Sequence, residues 1–285
     1  MEVRHLLRLY EQGNRDFAGA DLGGEDLSGV TLIGVNFTGA NLRGVNFSRS
    51  FLIKSDLSNA QMNWANLSFA KMNETRLVEA DLTKANLSGA FLVKSKLPGA
   101  KLSGANLSGA NLRCANLWGA NLCGANLHRS NLRDANLSGV NFNWANLSEA
   151  RLSGAKLYGA SLSGVNLSRA FLKELDLGGV DLEGVNLRGA KLNGANLEGA
   201  NLIAADLSEA QLQRVNFKGA DLTGANLARA SLEKANLTWT VLRKTDLSEV
   251  DLSEVKLNGV HFEDIQDSGA ILPKSFGHLI YSSAM

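Results

Sequence analysis

The sequence is poor in cysteine, proline and histidine, and it has no long apolar run. Its 285 residues include two cysteines, two prolines and four histidines. Cys114 and Cys123 alone cannot build a disulfide framework, and their spacing does not match a metal site. The longest apolar stretches span only a few residues, whereas a membrane-spanning helix needs about 18 or more. We therefore expect neither a disulfide-stabilised nor a membrane-spanning protein.

A large net charge of either sign is also missing. The chain has 29 Lys and Arg against 28 Asp and Glu, which gives a formal charge of +1. A strongly acidic or basic chain is thereby excluded, although single faces can still be charged. The N-terminal segment MEVRHLLRLYEQG mixes charged and apolar residues, and it lacks the apolar core and small-residue cleavage site of a secretory signal. We expect a reducing, cytoplasmic location.

What the sequence has in abundance is a five-residue repeat. From Phe17 to Phe262 every fifth residue is large and apolar, at 50 positions that hold 42 Leu, 6 Phe and 2 Met. A small or β-branched residue usually stands two positions earlier, with Arg15, Glu25 and Leu175 as exceptions. Asn or Asp is most common one position earlier and Gly is common two positions later, so the consensus is A-N-L-S-G. Repetition this regular decides the architecture before local propensity does.

Neither an α-helix nor a straight strand can bury this pattern. A helix advances about 100° per residue, so steps of five scatter the leucines around its circumference. In a strand, five is an odd step and successive leucines would alternate between faces. The chain must turn every five residues, and four turns of about 90° close a square coil of 20 residues. The central residue and the small residue then point inward, and stacked coils bond through their backbones like parallel strands.

The repeats themselves indicate four sides rather than three. We name each side after its first central residue: the Phe17, Leu22, Leu27 and Leu32 sides. The residue before the central one is Asn or Asp in 12 of 12 repeats of the Leu27 side, but in only 3 of 12 of the Leu32 side. A three-sided coil would mix these classes. Opposite charges also recur at a spacing of 20, as in Arg229 and Glu249, and should stack about 4.8 Å apart.

Fifty uninterrupted repeats of this consensus resemble the pentapeptide-repeat family, over residues 15–264. The resemblance implies an all-β solenoid, a right-handed quadrilateral β-helix of about twelve coils with a short N-terminal capping α-helix. Its handedness comes from the resemblance alone. The leader is similar to that of cyanobacterial members, in which a helix ending Tyr-x-x-Gly precedes Arg-Asp-Phe. The corresponding residues here are Tyr10, Gly13, Arg15, Asp16 and Phe17.

Three segments are expected along the chain: a capping helix at 1–14, the β-helix at 15–264 and a C-terminal cap or tail at 265–285. Apolar residues at helical spacing over residues 3–10, followed by Gly13, predict an amphipathic lid over the first coil. Asp267 replaces a central leucine and breaks the repeat. The tail beyond it could form a second lid or an isologous dimer patch, so we expect a monomer or a dimer through the tail. Its apolar residues are Ile271, Leu272, Phe276, Leu279, Ile280 and Tyr281.

We expect no catalytic, cofactor or metal site, and hence no enzyme. The histidines are scattered without metal-ligand spacing. The many serines that follow central leucines are more simply turn residues than nucleophiles, because no base is positioned for them. The interior is predicted to be a ladder of packed leucines. Four of its members are Leu102, Leu107, Leu112 and Leu117.

Function is therefore expected in the outward residues, and the Leu32 side is the unusual one. Its charges sum to +4, against +1, −2 and −2 on the Phe17, Leu22 and Leu27 sides. It has lost the Asn and Asp row and carries grouped apolar residues beside cations, which is typical of a partner-binding surface. A merely solvated face with acidic neighbours fits the same residues. The candidate interaction face comprises Ile33, Phe51, Ile53, Phe91, Val93, Phe171, Arg113, Arg133 and Arg151.

Three functions compete. The first and favoured one is a non-catalytic scaffold for protein–protein interaction with a protein partner of unknown identity. The second follows from the resemblance, since some family members mimic DNA and protect type II topoisomerase from inhibitors. Such a mimic needs dense negative charge, which no side of this chain provides. The third is binding of nucleic acid or another polyanion along the Leu32 side, and a charge of only +4 makes nucleic acid unlikely. Some cyanobacterial relatives are linked to cell differentiation, but nothing in these residues selects that role.

Overall fold

The computed structural model describes residues 1–273, and these form two compact units. Unit 1 comprises Met1–Asn146 and Ala155–Ser161, whereas unit 2 comprises Leu147–Gly154 and the chain from Leu162 onward. Within the described residues there is one helix and one pair of short strands that are parallel to each other. Their bounds are α1 Val3–Glu11, β1 Val241–Arg243 and β2 His261–Glu263.

In each unit the backbone returns beside itself every 20 residues. Parallel β-bridges join the residue before a central position to its counterpart one coil later, as between Asn106 and Asn126 in unit 1, and similar bridges recur in unit 2. The Asn106 N–H donates to the Ala85 carbonyl at 2.9 Å, and the Leu107 N–H donates to the Asn126 carbonyl at 2.7 Å. Each segment is thus bonded to the coil before it and to the coil after it. The predicted β-helix and its 20-residue return are confirmed.

A tight turn ends each five-residue segment. The Ala110 N–H donates to the Leu107 carbonyl at 3.0 Å, and Gly109 between them has φ of +65°. A positive φ at the third residue is the signature of a type II turn, and it explains the preference for Gly two positions after the central leucine. Larger residues adopt the same conformation at other turns, for example Arg49 with φ of +59°. Each of them costs about 1 kcal/mol relative to Gly.

The asparagine before a central leucine links the turn to the neighbouring coil. The Asn106 Oδ1 atom accepts the Ser108 N–H at 3.1 Å and the Asn126 Nδ2 at 3.3 Å. Its own Nδ2 donates to the Asn86 Oδ1 at 3.4 Å. The N–H after the central residue faces no backbone acceptor in this geometry, so the asparagine side chain supplies one. This dual role explains why Asn dominates the position.

The interior consists of the central residues and the small residues that precede them. Leu102, Leu107, Leu112 and Leu117 are all fully buried, as are alanines such as Ala110. In the first coils of unit 1, phenylalanine rings replace some leucines and pack against one another at tilted angles. The ring centroids of Phe17 and Phe37 lie 5.7 Å apart, and those of Phe37 and Phe47 lie 6.1 Å apart. The small inward residues, such as Ala110, thus leave room in the interior for the large central residues.

Two inward serines of unit 1 differ in how their hydroxyls are satisfied. The Ser55 hydroxyl donates to the Leu32 carbonyl at 3.0 Å and accepts the Val35 N–H at 3.3 Å. The Ser130 hydroxyl is also buried, but it has no hydrogen-bond partner among residues 1–273. A buried hydroxyl without a partner opposes folding, whereas the Ser55 hydroxyl completes a turn.

We predict opposite effects for the two serine-to-alanine substitutions. Ser130→Ala should raise the free energy of unfolding by about 1 kcal/mol, because it removes an unsatisfied polar group. Ser55→Ala should lower it by about 1 to 2 kcal/mol, because it leaves the Leu32 carbonyl and the Val35 N–H with fewer partners. Urea unfolding midpoints measure both changes. Equal destabilisation by the two variants would contradict the assignment.

Helix α1 lies against the first coil. Leu6 is fully buried, and the Tyr10 hydroxyl accepts the Ile33 N–H at 3.1 Å. The Arg15 guanidinium lies 3.8 Å from the centroid of the Tyr10 ring and donates to the Tyr10 carbonyl at 2.7 Å. The Tyr10 and Arg15 of the leader motif therefore form one local cluster that ties α1 to the coils.

Coil geometry continues past residue 264. Bridges join Asp246 to Gln266 and Asp251 to Ile271. Asp267 occupies the central position of this extra segment and is exposed. Because the bonds between coils are made by the backbone, the coil can continue for a turn without a central leucine. Of the predicted tail residues, Phe276, Leu279, Ile280 and Tyr281 lie outside the described residues.

Candidate interaction surface on the Leu32 side

A row of alternating aromatic and basic residues runs along the unit 1 part of the Leu32 side. Bridges join Phe51 to Lys71 and Lys71 to Phe91, so these side chains are direct neighbours from one coil to the next. The Lys71 Nζ atom lies 4.4 Å from the centroid of the Phe51 ring, which is a cation–π contact. Phe91 is 42% exposed and Phe51 is half-buried. The row presents ring faces and charge together.

A second, largely aliphatic row follows the central residues of the same side. It contains Ile33, Ile53, Asn73 and Val93, one in each successive coil. Ile33 is 41% exposed, and Ile53 and Val93 are half-buried. The Asn73 Oδ1 atom accepts the Val93 N–H at 3.0 Å. The two rows give this part of unit 1 an apolar band.

Phe69 extends the band around the corner, and sequence reasoning missed it. It belongs to the Leu27 side, two positions after its central leucine, and is 53% exposed. Its position in the sequence could have revealed it, because Phe69 ends a segment of the Leu27 side and stands two residues before Lys71 of the first row. A shallow groove of about 440 Å³ results, whose lining is Arg49, Phe51, Phe69, Lys71 and Phe91. We call these five residues the aromatic groove.

The position of the Phe69 ring depends on a glycine in the next coil. A Cβ atom built on Gly89 would lie 2.6 Å from the Phe69 Cε1 atom, which is too close for a real contact. The ring therefore lies over Gly89. Gly109 occupies the same corner one coil later with almost the same φ, +65° against +63°, and nothing lies within 4 Å of its built Cβ. Of these two glycines, Gly89 is the one that makes room for a ring.

The cations of this part of unit 1 are not neutralised by carboxylates. Among the described residues, Arg49, Lys71, Arg113 and Arg133 form no ion pair, and the Arg133 Nε donates to the Asn131 Oδ1 at 3.1 Å. Arg113 and Arg133 are exposed. Their charges are therefore available to a ligand.

An ion pair of unit 1 lies elsewhere, on the Phe17 side. The Arg76 Nε atom is 3.0 Å from the Asp56 Oδ2 atom. Burial raises the pKa of Asp56, but hydrogen bonds from Ser58 and the charge of Arg76 together hold this pKa below its ordinary value. This pair joins two coils and leaves the Leu32 side untouched.

The remaining two residues of the candidate interaction face belong to unit 2. The Phe171 ring is half-buried between two cations, with the Arg151 guanidinium 5.6 Å and the Lys191 Nζ 4.5 Å from its centroid. The following residues of its row, Gln211 and Ser231, are polar. Phe171 is therefore a single ring covered by charge, unlike the grouped rings of unit 1. The candidate residues of unit 1 are Ile33, Phe51, Ile53, Phe91, Val93, Arg113 and Arg133.

Unit 2 differs from unit 1 in the pairing of its charges. The predicted stacking of Arg229 and Glu249 is confirmed, with their Nη2 and Oε1 atoms 2.9 Å apart. The hydrogen bond and charge of Arg229 lower the pKa of Glu249. Lys218 pairs with Glu198 at 2.9 Å in the same way. Exposed pairs of this kind contribute little stability each, but they neutralise several cations of unit 2.

Within residues 1–273 no group of three or more His, Cys, Asp or Glu is arranged to hold a metal ion. Cys114 and Cys123 are half-buried free thiols. In the same part of the chain, no helix has the length and apolar character needed to cross a bilayer.

Comparison with known proteins identifies the repeat. The family model described as Pentapeptide repeats matches most of the chain, at residues 16–49, 60–99, 96–129, 110–148, 145–184, 181–219 and 220–259. A search of curated proteins finds no significant match.

Solved structures similar to the chain include three repeat proteins. HetL, a pentapeptide repeat protein involved in heterocyst differentiation regulation from the cyanobacterium Nostoc sp. strain PCC 7120, is 28% identical; the match covers 96% of this chain and 98% of HetL, with a TM-score of 0.26. Rfr23 from the cyanobacterium Cyanothece 51142 is 26% identical over 57% of this chain and 96% of its own, with a TM-score of 0.17. QnrB1, a plasmid-mediated fluoroquinolone resistance protein, is 18% identical over 87% of each chain, with a TM-score of 0.25.

Proposed function

The chain belongs to the pentapeptide-repeat family, whose fold is a right-handed β-helix, and we propose that it is a non-catalytic scaffold that binds a protein partner through the unit 1 part of the Leu32 side. In this proposal residues 15–264 supply about twelve coils, α1 within residues 1–14 caps the first coil, and 265–285 form a cap or tail. A cytoplasmic location suits the two free thiols.

One observation carries the proposal: the apolar band of unit 1 is grouped and partly exposed, whereas the corresponding positions of unit 2 are largely polar. Ile33, Phe51, Ile53 and Phe91 lie within four successive coils in two neighbouring rows. Grouped exposed apolar residues beside unpaired cations are typical of protein-binding surfaces, where aromatic and arginine side chains carry most of the affinity. The backbone of this region is already bonded between coils, so recognition falls to side chains.

A polyanion is the second candidate partner, favoured by the unpaired cations Arg49 and Lys71. The aliphatic row argues against a polyanion, because the side chains of Ile33, Ile53 and Val93 have no donor or positive charge that could bind a phosphate. DNA mimicry has still less support, because carboxylates of unit 2 such as Glu198 and Glu249 are neutralised by neighbouring cations.

Replacing Phe51 and Phe91 together by Ser should remove the partner. We expect a native pull-down with the double variant to recover at least about tenfold less of any protein captured by the unaltered chain, because aromatic anchors dominate interface affinity. Trp118→Ser is the matched control: Trp118 is 59% exposed on the Phe17 side and should have no effect. Identical interactors from both variants would refute the proposal. Loss that occurs only with Phe171→Ser would move the site to unit 2.

A further inference from the structure

We propose that the aromatic groove is a docking site for an acidic linear peptide segment that inserts one large apolar side chain between its rings. This inference rests on the proposed function and names the chemistry of the partner. The groove has a volume of about 440 Å³ and is lined by three phenylalanine rings and two cations. Ligand sites combine such apolar walls with a few charged groups that fix orientation.

The rings supply the apolar contact. Phe51 and Phe91 flank Lys71 along one row, and Phe69 faces that row from the corner. Phe69 is more than half exposed. Its φ of +57° is a left-handed turn conformation that is unfavourable for any residue other than Gly. An inserted Trp, Phe or Leu side chain would cover ring surface that is now in water.

The cations define the charge of the partner. Arg49 and Lys71 flank the rings, and within the described chain neither of them forms an ion pair. Lys71 instead contacts the Phe51 ring through its ammonium group at 4.4 Å. Cations next to apolar surface and without a carboxylate partner complement a segment that carries Asp or Glu beside its apolar anchor.

The backbone of the coils restricts how the segment can bind. The Phe51 N–H donates to the Val30 carbonyl and the Lys71 N–H donates to the Ser50 carbonyl, both at 2.8 Å. These groups cannot pair with an added strand as well. The segment must therefore be recognised by its side chains rather than by strand addition.

Aromatic rings alternating with cations could also stack the bases of single-stranded nucleic acid. The aliphatic row beside the groove favours a peptide, because Ile33, Ile53 and Val93 provide apolar contacts without charge or ring stacking. Nucleic acid is therefore an outcome of the test and not the proposed ligand.

Gly89→Ala tests the groove without altering any residue that would touch the segment. Its added methyl group would displace the Phe69 ring, whereas Gly109→Ala imposes the same backbone strain with nothing in its way. The probe is a short fluorescein-labelled peptide with one Trp between pairs of Asp and Glu residues, titrated against the full chain by fluorescence anisotropy. We expect Gly89→Ala to weaken binding at least about fivefold and Gly109→Ala to leave it unchanged. Arg49→Glu with Lys71→Glu should weaken it more than about tenfold.

Several results would overturn the inference. These are equal effects of the two glycine variants, no measurable affinity for the acidic peptide, equal binding of a peptide with Lys in place of Asp and Glu, and tighter binding of oligo(dT). The pull-down separates this failure from failure of the scaffold proposal. If Phe51→Ser with Phe91→Ser removes a protein partner that Gly89→Ala and the charge-reversed variant retain, the groove inference fails and the scaffold proposal stands. If none of these variants alters the interactors, both fail.

Discussion

Leu107→Asp is expected to prevent the coils of unit 1 next to residue 107 from folding, rather than to lower their stability slightly. Leu107 is fully buried at the centre of a repeat, and its backbone is bonded to the coil on one side. The substitution removes a buried leucine and places a carboxylate among apolar side chains, where no cation can reach it. We expect a loss of more than about 4 kcal/mol, which is comparable to the whole stability of many domains. Far-UV circular dichroism and thermal melting measure the outcome.

Leu107→Met provides the control for this change. Met62 and Met72 occupy central positions of unit 1 and are fully buried, so the ladder accepts methionine. A swap that conserves volume and polarity should cost less than about 1.5 kcal/mol. If the Asp variant melts within a few degrees of the Met variant, the inward orientation of Leu107 is wrong.

Lys101→Pro is expected to have the second largest effect. The Lys101 N–H donates to the Ala80 carbonyl at 2.9 Å, across the gap between two coils. Proline removes this donor and leaves the carbonyl without its partner, and its ring restricts the preceding residue. We expect a loss of about 3 kcal/mol or more. Lys101→Ala separates the effect of the lost charge from that of the backbone.

Ser103→Pro, two residues later, should be tolerated. Within the described residues the Ser103 N–H donates to no backbone carbonyl of a neighbouring coil, and Pro98 occupies the same position of its segment in the unaltered chain. Pro98 still accepts the Glu79 N–H through its carbonyl at 3.0 Å, as Ser103 accepts the Lys84 N–H. Proline also suits the second residue of a type II turn, so the variant should be neutral or more stable by up to about 1 kcal/mol. Urea unfolding compares the variants, and equal destabilisation by both prolines would contradict the bonding scheme.

The architecture was predictable because one short-range rule repeats without interruption. A large residue stands at every fifth position, with a small residue two positions earlier. Neither a helix nor a flat strand can bury both sets of residues. The stacking of Arg229 on Glu249 could be anticipated because a fixed 20-residue return converts sequence separation into spatial contact. The burial of Leu107 follows from the same periodicity.

The aromatic groove was only half predictable. Phe51 and Phe91 could be assigned to one face because they share a row, but Phe69 belongs to another side of the coil. Its contribution depends on the direction of a ring at a corner, and that direction depends on the missing side chain of Gly89. Contacts between adjacent sides depend on side-chain conformation, and the five-residue period does not predict side-chain conformation.

Two further features required the folded chain. The repeat breaks at Asp267, yet bridges continue to Ile271, because bonds between coils need backbone groups and not a leucine. The division into two units falls within residues 147–161, where the central leucines continue unchanged. The period alone indicates neither the bridges beyond Asp267 nor the division within residues 147–161.

By itself the sequence determined the coil, its 20-residue return and which residues point inward, because burial of apolar side chains at a fixed spacing has one regular solution. Only the tertiary structure decided which outward residues meet: Phe69 lies beside Phe51 and Phe91 around a corner, and among the described residues Lys218 forms an ion pair whereas Lys71 does not. It also decided that the inward Ser130 hydroxyl has no hydrogen-bond partner within residues 1–273. Outward side chains have several rotamers and few steric constraints, so their contacts are fixed by their neighbours in space rather than by their place in the repeat.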